Sequence, residues 1–558
     1  DVGGESLISC VHNRLSLPNF LRLALQMVDA VAEVHATRLV HKDIKPSNFC
    51  LDAKRQSVFL ADFSIAERLP EDEDDLPRTS TLGGTLAYIS PEQTGRTEQL
   101  VDYRTDYYSL GVTFYELLTG KLPFDSSDPL EIVHGHIAKD PPPLPESIPP
   151  PLAAIVNKLL AKSPDERYQS AGGLRKDLVT SLDHFEGRAA AGAFTIGAHD
   201  VPERFRIPSR VYGREKEIQT LISAFETVTH SNADAMLVLV SGYSGIGKSS
   251  LIHELRRPIA KARGRFVAGK FDQVRRDTPY ATLAQALDSL AIQLLSDNDA
   301  YYELLRKRLR SALGPNAQVI IGLSPRFGTL LGTPPPIAEL PPAEARARLH
   351  TTLGRFFSAV APIEHPLVLF FDDLQWADPA SLRVLQSLMT QRDVGHLLIV
   401  GAYRDNEVSP SHMLMRAIGE IEKNDGRFEH ISLSGLPERH LEELVADMFS
   451  IDETKASGLA HLVYEKTHGN PFFALRFMQE LHRDGLLVFD SARAAWHWDL
   501  AAIRERKYAE NVVELLMGHI DRLPARAQRA LEVASFLGNL VTTQDLAIAL
   551  QRSEEEIA

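Results

Sequence analysis

Residues 236–249 read Met-Leu-Val-Leu-Val-Ser-Gly-Tyr-Ser-Gly-Ile-Gly-Lys-Ser, and this stretch decides the fold of the middle of the chain. The apolar run 236–240 predicts a buried strand. The residues after it fit the pattern G-x-x-x-x-G-K-[ST], and a run with helical spacing follows from Ser250. Strand, glycine-rich turn and helix in this order predict a loop whose backbone N–H groups can surround phosphate groups.

This loop supplies most of the candidate nucleotide-binding residues, which are Gly242, Gly245, Gly247, Lys248, Ser249 and Ser250. The glycines let the backbone curl around phosphates, Lys248 would reach the terminal phosphates, and Ser249 would ligate Mg2+. An apolar strand ending in acid should lie beside the loop, and residues 367–373, Leu-Val-Leu-Phe-Phe-Asp-Asp, fit this requirement. We expect Asp372 to hold the Mg2+ shell and Asp373 to polarise the attacking water.

Three further positions are candidates for contacts with the nucleotide. Arg404 follows the apolar run 397–401 and is expected to sense the terminal phosphate, with a plain surface arginine as the alternative. Gly469-Asn-Pro471 could contact the base from a helical lid, and Tyr212-Gly-Arg-Glu215 could close the other side of the adenine. An ordinary turn is the alternative at both. Because the strands alternate with helical segments, we expect a parallel sheet wrapped by helices.

Together these motifs resemble the AAA-related ATPases of the signal-transduction type, whose nucleotide state switches a larger assembly. Residues 371–378, Phe-Asp-Asp-Leu-Gln-Trp-Ala-Asp, with Gly-Lys-Phe-Asp-Gln at 269–273, are similar to the ATPase module of large multi-domain sensors. The resemblance implies ATP and Mg2+ as cofactors. Since such ATPases often work as assemblies, it also implies an oligomer formed through this domain.

A second group of motifs lies near the start of the chain. Residues 41–48, His-Lys-Asp-Ile-Lys-Pro-Ser-Asn, are followed by Asp62-Phe-Ser and then by Ser90-Pro-Glu. This order and spacing resemble the carboxy-terminal lobe of eukaryotic-type serine/threonine protein kinases. The resemblance implies a carboxylate, Asp43, that accepts or orients the substrate hydroxyl proton.

The other candidate residues of this lobe follow from the same resemblance. Lys45 would neutralise charge on the transferred phosphoryl group, while Asn48 and Asp62 would hold Mg2+ on the phosphates. The architectural matches are Asp106, expected to brace the catalytic loop, and Arg167, expected to pair with Glu92.

The resemblance covers residues 1 to about 184 and begins where the kinase hinge should be. We therefore expect only the C-lobe, with the N-lobe absent, and no kinase activity from this fragment alone. Two positions depart from the family pattern: Lys42 stands where many kinases carry arginine, and Ser64 replaces the usual glycine after Asp-Phe.

Length and composition bound the remaining possibilities. At roughly 150 residues per domain, 558 residues predict three or four domains. The formal charge of -14 disfavours nucleic acid and anionic membranes as partners. No apolar run approaches the roughly 18 residues of a membrane span. Two cysteines, Cys10 and Cys50, are too few for a disulfide framework, so we expect a reducing, cytoplasmic compartment.

The predicted fold class is multidomain, and its parts follow one another along the chain. The predicted parts are a mainly α protein-kinase C-lobe at 1–185, a Gly- and Ala-rich linker at 186–208, an α/β P-loop AAA-type ATPase core with a parallel sheet at 209–435, an α-helical lid at 436–508, and a helical region at 509–558 that could start a winged-helix-like region.

This order matches the amino-terminal half of hybrid sensor kinases, in which a GAF domain, a histidine-kinase core and often a receiver domain follow. The leading hypothesis is an ATP-dependent signalling protein with a protein substrate or downstream phosphorelay domains as partners. Two alternatives stay open: a catalytically inactive kinase-like scaffold gated by nucleotide binding, and a kinase-fused ATPase transcription regulator. The histidine-to-aspartate phosphotransfer expected in the downstream domains rests on analogy with that family.

Overall fold

The computed structural model describes all residues except 1–4, 13–14, 53–56, 70–83, 98, 189–194, 231–232, 274–277, 296–298, 491–492, 494, 506–519, 521–522, 538–540 and 558. The chain divides into two compact units. The first comprises Asp1–Arg210, Arg439–His461 and Gln479–Ile503; the second comprises Val211–Glu438, Leu462–Met478 and Arg504–Ala558. The predicted winged-helix-like start at 509 lies outside the described residues.

The first unit begins with a mainly helical region that carries short strands. Its elements are β1 Glu5–Ser6, α1 Ile8–His12, α2 Leu17–Ala36, β2 Leu39–Val40, β3 Phe49–Asp52, β4 Ser57–Leu60, β5 Glu67–Arg68, α3 Arg104–Thr119, α4 Pro129–Ala138, α5 Pro150–Leu159 and α6 Ala171–Phe185. Strands β1, β3 and β4 form an antiparallel sheet, and β2 pairs with β5. Single 3-10 turns lie at Pro46–Asn48, Leu86–Tyr88, Glu92–Thr94 and Pro164–Glu166.

Helices α2 and α3 form the centre of this region. On α2, buried residues recur at helical spacing, including Leu21, Ala24, Val28 and Val31, so one face of the helix lies against the core. Helix α3 is buried along nearly its whole length, which explains why it shows little amphipathic pattern. This buried scaffold carries the loops of the first candidate site.

The second unit is built on a parallel sheet. Its elements are α7 Glu215–Thr229, β6 Met236–Ser241, α8 Lys248–His253, α9 Arg256–Lys261, β7 Arg265–Lys270, α10 Ala281–Leu295, α11 Asp299–Leu313, α12 Ala317–Leu323, α13 Phe327–Leu331, α14 Pro342–Val360, β8 Leu367–Asp372, α15 Pro379–Thr390, β9 Leu397–Tyr403, α16 Met413–Lys423 and β10 Arg427–Ser432. Its 3-10 turns are Gly314–Asn316, Leu374–Trp376 and Asp405–Glu407.

The five strands of this sheet lie in the order β10-β6-β9-β8-β7, and all neighbours are parallel. Every residue of β6 and β9 is buried, which requires the continuous apolar runs seen in their sequences. Because the strands are parallel, the residues that follow β6, β8 and β9 meet at one edge of the sheet. The expected α/β fold with a parallel sheet is confirmed.

The remaining elements are mostly helical. They are α17 Glu438–Phe449, α18 Glu453–Thr467, α19 Pro471–Arg483, β11 Leu487–Asp490, β12 Ala495–Trp498, α20 Leu500–Glu505, α21 Ala525–Leu537, α22 Thr543–Leu550 and α23 Glu554–Ile557. The antiparallel hairpin of β11 and β12 was not predicted. Over the described part of the chain, none of the helices has both the length and the apolar character that crossing a bilayer requires.

Candidate functional sites in the two units

The carboxylate of Asp43 lies in a dense set of hydrogen-bond donors. Lys45 Nζ is 2.5 Å from Asp43 Oδ2, and the backbone N–H of Thr85 donates to Oδ1 at 2.9 Å. Asn48 Nδ2 donates to the Asp43 carbonyl at 2.8 Å and to Oδ2 at 3.1 Å. The structure therefore brings three of the predicted residues, Asp43, Lys45 and Asn48, into one cluster.

These contacts set the ionisation of Asp43. Partial burial opposes the charged form, but the hydrogen bonds from Lys45 and Thr85 outweigh it and hold the pKa of Asp43 below its usual value. Asp43 is thus an ionised carboxylate at neutral pH. Thr85 was not singled out in the sequence; its hydroxyl also accepts a hydrogen bond from Lys45 Nζ at 2.7 Å.

Asp106 holds the backbone at the start of residues 41–48, the segment that we call the catalytic loop after its resemblance to protein kinases. Its carboxylate accepts the N–H of His41 at 2.9 Å and that of Lys42 at 2.8 Å, and His35 Nε2 lies 2.8 Å from the same group. Asp106 is fully buried, and Lys42 has a left-handed φ of 67°. The expected brace is therefore present, and it fixes a turn that the backbone would otherwise disfavour.

Asp62 lies on the segment that follows β4. Its backbone φ is 64°, its side chain is exposed, and Ser64 N donates to Asp62 Oδ1 at 3.4 Å. Two contacts of His41 hold this segment against the catalytic loop. His41 Nε2 lies 2.9 Å from the carbonyl oxygen of Ala61, and the ring centroids of His41 and Phe63 are 4.9 Å apart.

The predicted ion pair of Arg167 and Glu92 is confirmed. Two guanidinium nitrogens of Arg167 lie 2.6 and 2.8 Å from the two carboxylate oxygens of Glu92, and both side chains are 0% exposed. Thr105 Oγ1 donates to the same carboxylate at 2.7 Å. A pair so fully desolvated is an architectural element, because removal of either partner would leave a buried charge.

In the second unit, the loop between β6 and α8 forms the predicted glycine-rich turn. Gly242, Gly245 and Gly247 have φ values of 149°, 75° and 94°, which L-residues rarely adopt. Lys248 begins α8, and Ser249 and Ser250 follow it in the first turn. The Lys248 Nζ group donates to the carbonyls of Gly242 and Tyr243 at 2.7 and 2.8 Å.

Burial shifts the pKa values of two charged groups near this loop. Burial lowers the pKa of Lys248, although the nearby Asp372 carboxylate opposes the shift. Burial and the charge of Asp373 raise the pKa of Asp372. The charged form of Lys248 would be stabilised by a bound anion, and that of Asp372 by a bound cation. The site therefore suits an anionic ligand that is accompanied by a cation.

Asp373 lies at the centre of a small ion network. Its carboxylate is 3.4 Å from Arg404 Nε and 3.3 Å from Lys270 Nζ, and Gln375 Nε2 donates to it at 2.8 Å. Arg404 also donates to Glu407 at 2.9 Å, and its guanidinium stacks over the ring of Trp376 at 5.0 Å. The structure thus brings Arg404 and Asp373 together at the sheet edge.

Lys270 is a residue of this edge that the sequence did not single out by itself. Strand register places Lys270 directly opposite Asp372, at the carboxyl ends of β7 and β8. The signal that could have found it is the pairing of the 269–273 and 371–378 motifs, since parallel neighbours end at the same edge.

The predicted lid motif contacts the glycine-rich loop. Asn470 Nδ2 donates to the carbonyl of Ser244 at 3.0 Å, and Phe472 N donates to that of Gly245 at 3.2 Å. Pro471, the predicted base contact, lies between them and begins α19. A Cβ on Gly245 would stand 2.9 Å from the Phe472 Cβ, so only glycine permits this approach.

The residues of this loop fit a bound nucleoside triphosphate. Gly247 has open space where a Cβ would stand, and Lys248 Nζ already lies against carbonyl oxygens of the loop. Among the residues that the structure describes, no cluster of three or more His, Cys, Asp or Glu side chains could by itself hold a metal ion. Protein ligation of Mg2+ by one or two side chains, completed by phosphates, is the usual arrangement for such ions.

Comparisons with known proteins match this arrangement. The family model for the protein kinase domain matches residues 4–179, and that for the AAA ATPase domain matches residues 210–400. Hybrid signal transduction histidine kinase G of Dictyostelium discoideum is 32% identical over 568 residues, which cover 86% of this chain and 16% of the relative.

Two other relatives match parts of the chain. Serine/threonine-protein kinase PknB of Mycolicibacterium smegmatis is 40% identical over 186 residues, covering 32% of this chain and 29% of the relative. Histidine protein kinase 1 of Candida albicans is 24% identical over 415 residues, covering 66% of this chain and 17% of the relative. The chain spans less than a third of each of these proteins.

Proposed function

Because the chain carries a protein kinase domain followed by an AAA ATPase domain, we propose that it works as the input part of a hybrid signal-transduction histidine kinase. The kinase domain transfers a phosphoryl group from ATP to a serine or threonine of a protein, and the ATPase domain is a nucleotide-dependent switch. The observation that supports the first activity is the ionised Asp43 carboxylate, held by Lys45, Asn48 and Thr85.

In the first site, Asp43 accepts or orients the proton of the substrate hydroxyl. Lys45 neutralises negative charge on the phosphoryl group that is transferred. The side chains of Asn48 and Asp62 are the proposed Mg2+ ligands. Asp106 acts indirectly, because it fixes the backbone of the loop that carries Asp43.

In the second site, the N–H groups of the glycine-rich loop and Lys248 bind the phosphates of ATP, and Ser250 extends the loop's binding surface. Asp373 orients the water that attacks the terminal phosphate, and Arg404 changes partner from Asp373 to that phosphate when ATP is bound. Pro471 contacts the base. Mg2+, held by Ser249 and Asp372, supplies charge neutralisation and alignment of the phosphates.

The kinase proposal is tested on the full-length protein with labelled ATP. We expect acid-stable label on serine or threonine that falls by about 10²–10⁴-fold in Asp43→Asn, because the general base is lost. Asp140→Asn, at an exposed position of the same domain, is the matched control. Label that is acid-labile only and unchanged by Asp43→Asn would instead favour an inactive kinase-like scaffold.

The switch proposal is tested by nucleotide binding and turnover. Lys248→Ala should abolish binding at the glycine-rich loop, whereas Asp373→Asn should retain binding and lose hydrolysis. If Asp373→Asn hydrolyses ATP at the wild-type rate, another group positions the water. We also propose that a histidine in a downstream domain receives a phosphoryl group and that the protein oligomerises through the ATPase domain. Both are tested on the full-length protein.

A further inference from the structure

Residues 195–209, which we call the extension, lie beyond the part of the chain that the protein kinase family model matches. Asp200 of the extension is buried and accepts hydrogen bonds from the N–H groups of Gln169 and Ser170 at 2.9–3.0 Å. The hydroxyl of Ser170 also donates to Asp200, at 3.1 Å. The second half of the predicted linker therefore packs against the kinase domain, within the first unit.

Contacts on both sides of Asp200 hold the rest of the extension. Before it, the N–H of Gly197 donates to Asp177 Oδ2 at 2.7 Å. After it, the buried side chain of Arg206 pairs with Asp165, with Nη2 and Oδ1 2.9 Å apart. Because these contacts are spread along the extension, it is held over its length and not at a single point.

The fit at Asp200 leaves no room for a side chain on Gly173, in the first turn of α6. A Cβ on Gly173 would stand 2.6 Å from Asp200 Oδ1 and 2.7 Å from its Cα. A Cβ on the neighbouring Gly172 would stand 3.9 Å from Glu203 Oε1, which is an ordinary contact. Since alanine favours the helix at either position, comparing the two substitutions isolates the docking of the extension.

Arg204 lies at the carboxyl end of α2, the helix that precedes the catalytic loop. Its Nη2 donates to the carbonyl of His35 at 2.6 Å, and its guanidinium lies 5.3 Å from the ring centre of Tyr103. Helix α2 ends at Ala36, so this carbonyl belongs to its last turn. A cation is favourable there because the last carbonyl groups form the negative end of the helix dipole.

His35 connects this contact to the catalytic loop. Its Nε2 lies 2.8 Å from Asp106 Oδ2, and the Asp106 carboxylate accepts the first two N–H groups of the loop, residues 41–48. The His35 ring also meets the Tyr103 ring edge to face, with centroids 5.7 Å apart. Arg204 therefore holds the residue that contacts the carboxylate bracing the loop.

We propose that the extension completes the kinase domain and that Arg204 is a positioning residue for phosphoryl transfer. Arg204 caps α2 and keeps His35 in place against Asp106. Asp106 in turn fixes the loop that carries Asp43. The catalytic part of this inference rests on the proposed kinase function, whereas the docking of the extension is independent of it.

The test uses the full-length protein and two matched pairs of variants. Gly173→Ala displaces the extension, and Gly172→Ala is its control. Arg204→Ala removes the cap, and Arg188→Ala, which removes an exposed guanidinium of the same unit, is its control. Arg204→Lys keeps a cation at the end of α2. Amide hydrogen exchange measures order, and acid-stable autophosphorylation gives the maximal rate and the half-saturating ATP concentration.

In Arg204→Ala and Gly173→Ala, the amides of residues 34–43 should exchange about tenfold faster than in the controls, because a charged contact at a helix end is lost. The maximal rate should fall about 10–100-fold, because a displaced catalytic loop misplaces Asp43. The half-saturating ATP concentration should stay within about twofold, since Arg204 acts on the loop and not on the nucleotide. Arg204→Lys should recover most of the rate.

Equal exchange in Gly173→Ala and Gly172→Ala would overturn the docking of the extension. A wild-type rate in Arg204→Ala, or a loss that Arg204→Lys does not restore, would overturn the positioning role. Autophosphorylation that is unaffected by Asp43→Asn would instead overturn the proposed kinase function, and the positioning role with it. The exchange data would then still decide whether the extension docks.

Discussion

The catalytic loop and the glycine-rich loop keep their charged groups in opposite conditions. Asp43 is surrounded by its donors, and its pKa lies below the ordinary value. Lys248 donates to carbonyls of its own loop, its pKa is lowered by burial, and the pKa of Asp372 is raised by burial and by Asp373. The first region presents an ionised carboxylate as it stands, whereas the second holds Lys248 and Asp372, whose charged forms are disfavoured by burial.

This difference shows two ways in which a fold prepares charge for phosphate chemistry. The kinase loop relies on fixed neighbours, Lys45, Asn48 and Thr85, and the same unit contains the buried pair of Arg167 and Glu92, so the loss of one such partner should be costly. The edge of the parallel sheet relies on longer, partly exposed contacts such as that of Arg404 with Asp373, so the loss of one should be mild.

The largest expected effect is on the fixed side of the comparison. Arg167→Ala should lower the free energy of unfolding of the first unit by about 3–5 kcal/mol, because Glu92 is left buried without its partner. Chemical denaturation followed by circular dichroism measures this. Arg175→Ala breaks an exposed pair with Asp29 and is the control. Equal losses in both variants would contradict the fixed scaffold.

The second prediction concerns the contact between Phe472, at the start of α19, and the glycine-rich loop. Gly245→Ala should destabilise the second unit by about 1–3 kcal/mol more than Gly247→Ala, because the new methyl group meets Phe472. Both glycines have positive φ, but a Cβ on Gly247 meets nothing within 4 Å. The difference in denaturation midpoint between these two variants isolates the contact of Gly245 with Phe472. Equal midpoints would mean that this contact does not contribute to stability.

The third prediction concerns His136, a buried histidine of the first unit that is neutral in the folded protein and becomes protonated when the protein unfolds in acid. Burial, assisted by the charge of Lys162, lowers the pKa of His136 to about 3. Its stabilising contribution is complete above the ordinary histidine pKa and is lost as the pH falls toward the folded value. Between pH 6 and 5 the free energy of unfolding should therefore drop by about 1 kcal/mol on this account.

Thermal unfolding of His136→Gln across that pH range should show a flatter dependence than the wild type. His199→Gln, at an exposed histidine, serves as the reference and should keep the wild-type slope. A wild-type slope in His136→Gln would mean that other groups control acid stability.

The smallest effect is expected at the edge of the parallel sheet. Lys270→Ala removes a half-exposed cation that lies 3.3 Å from Asp373, and it should lower the free energy of unfolding by only about 0.2–1 kcal/mol after solvent screening. Lys307→Ala, at an exposed site on α11, controls for loss of a surface lysine. A loss above about 3 kcal/mol would make this ion pair as fixed as that of Arg167.

The sequence predicted those parts of the molecule in which chemistry and local structure depend on neighbouring residues. The loop after β6 was predictable because strand, glycines, Lys248 and helix follow directly in the chain. The catalytic loop was predictable because Asp43, Lys45 and Asn48 lie within one short motif. Both depend on backbone geometry that the residue types themselves favour.

What the sequence did not reveal depends on contacts between distant segments. Thr85 is an ordinary threonine until folding brings its N–H and hydroxyl to Asp43 and Lys45. Residues 195–209 have the irregular, polar composition of a linker, but Asp200, Arg204 and Phe205 contact distant segments of the same unit. No periodic pattern encodes such docking, because the partner surface lies far away in the chain.

The order of strands in the parallel sheet has a consequence for how the chain is made. Met236 pairs with Leu398, roughly 160 residues later, and at about 5–20 residues per second a ribosome needs roughly 8–30 s to supply that partner. Its other neighbour, β10, emerges later still. During synthesis, a strand that ends up entirely buried therefore waits unpaired, so biogenesis of this sheet depends on protection of β6 from premature association.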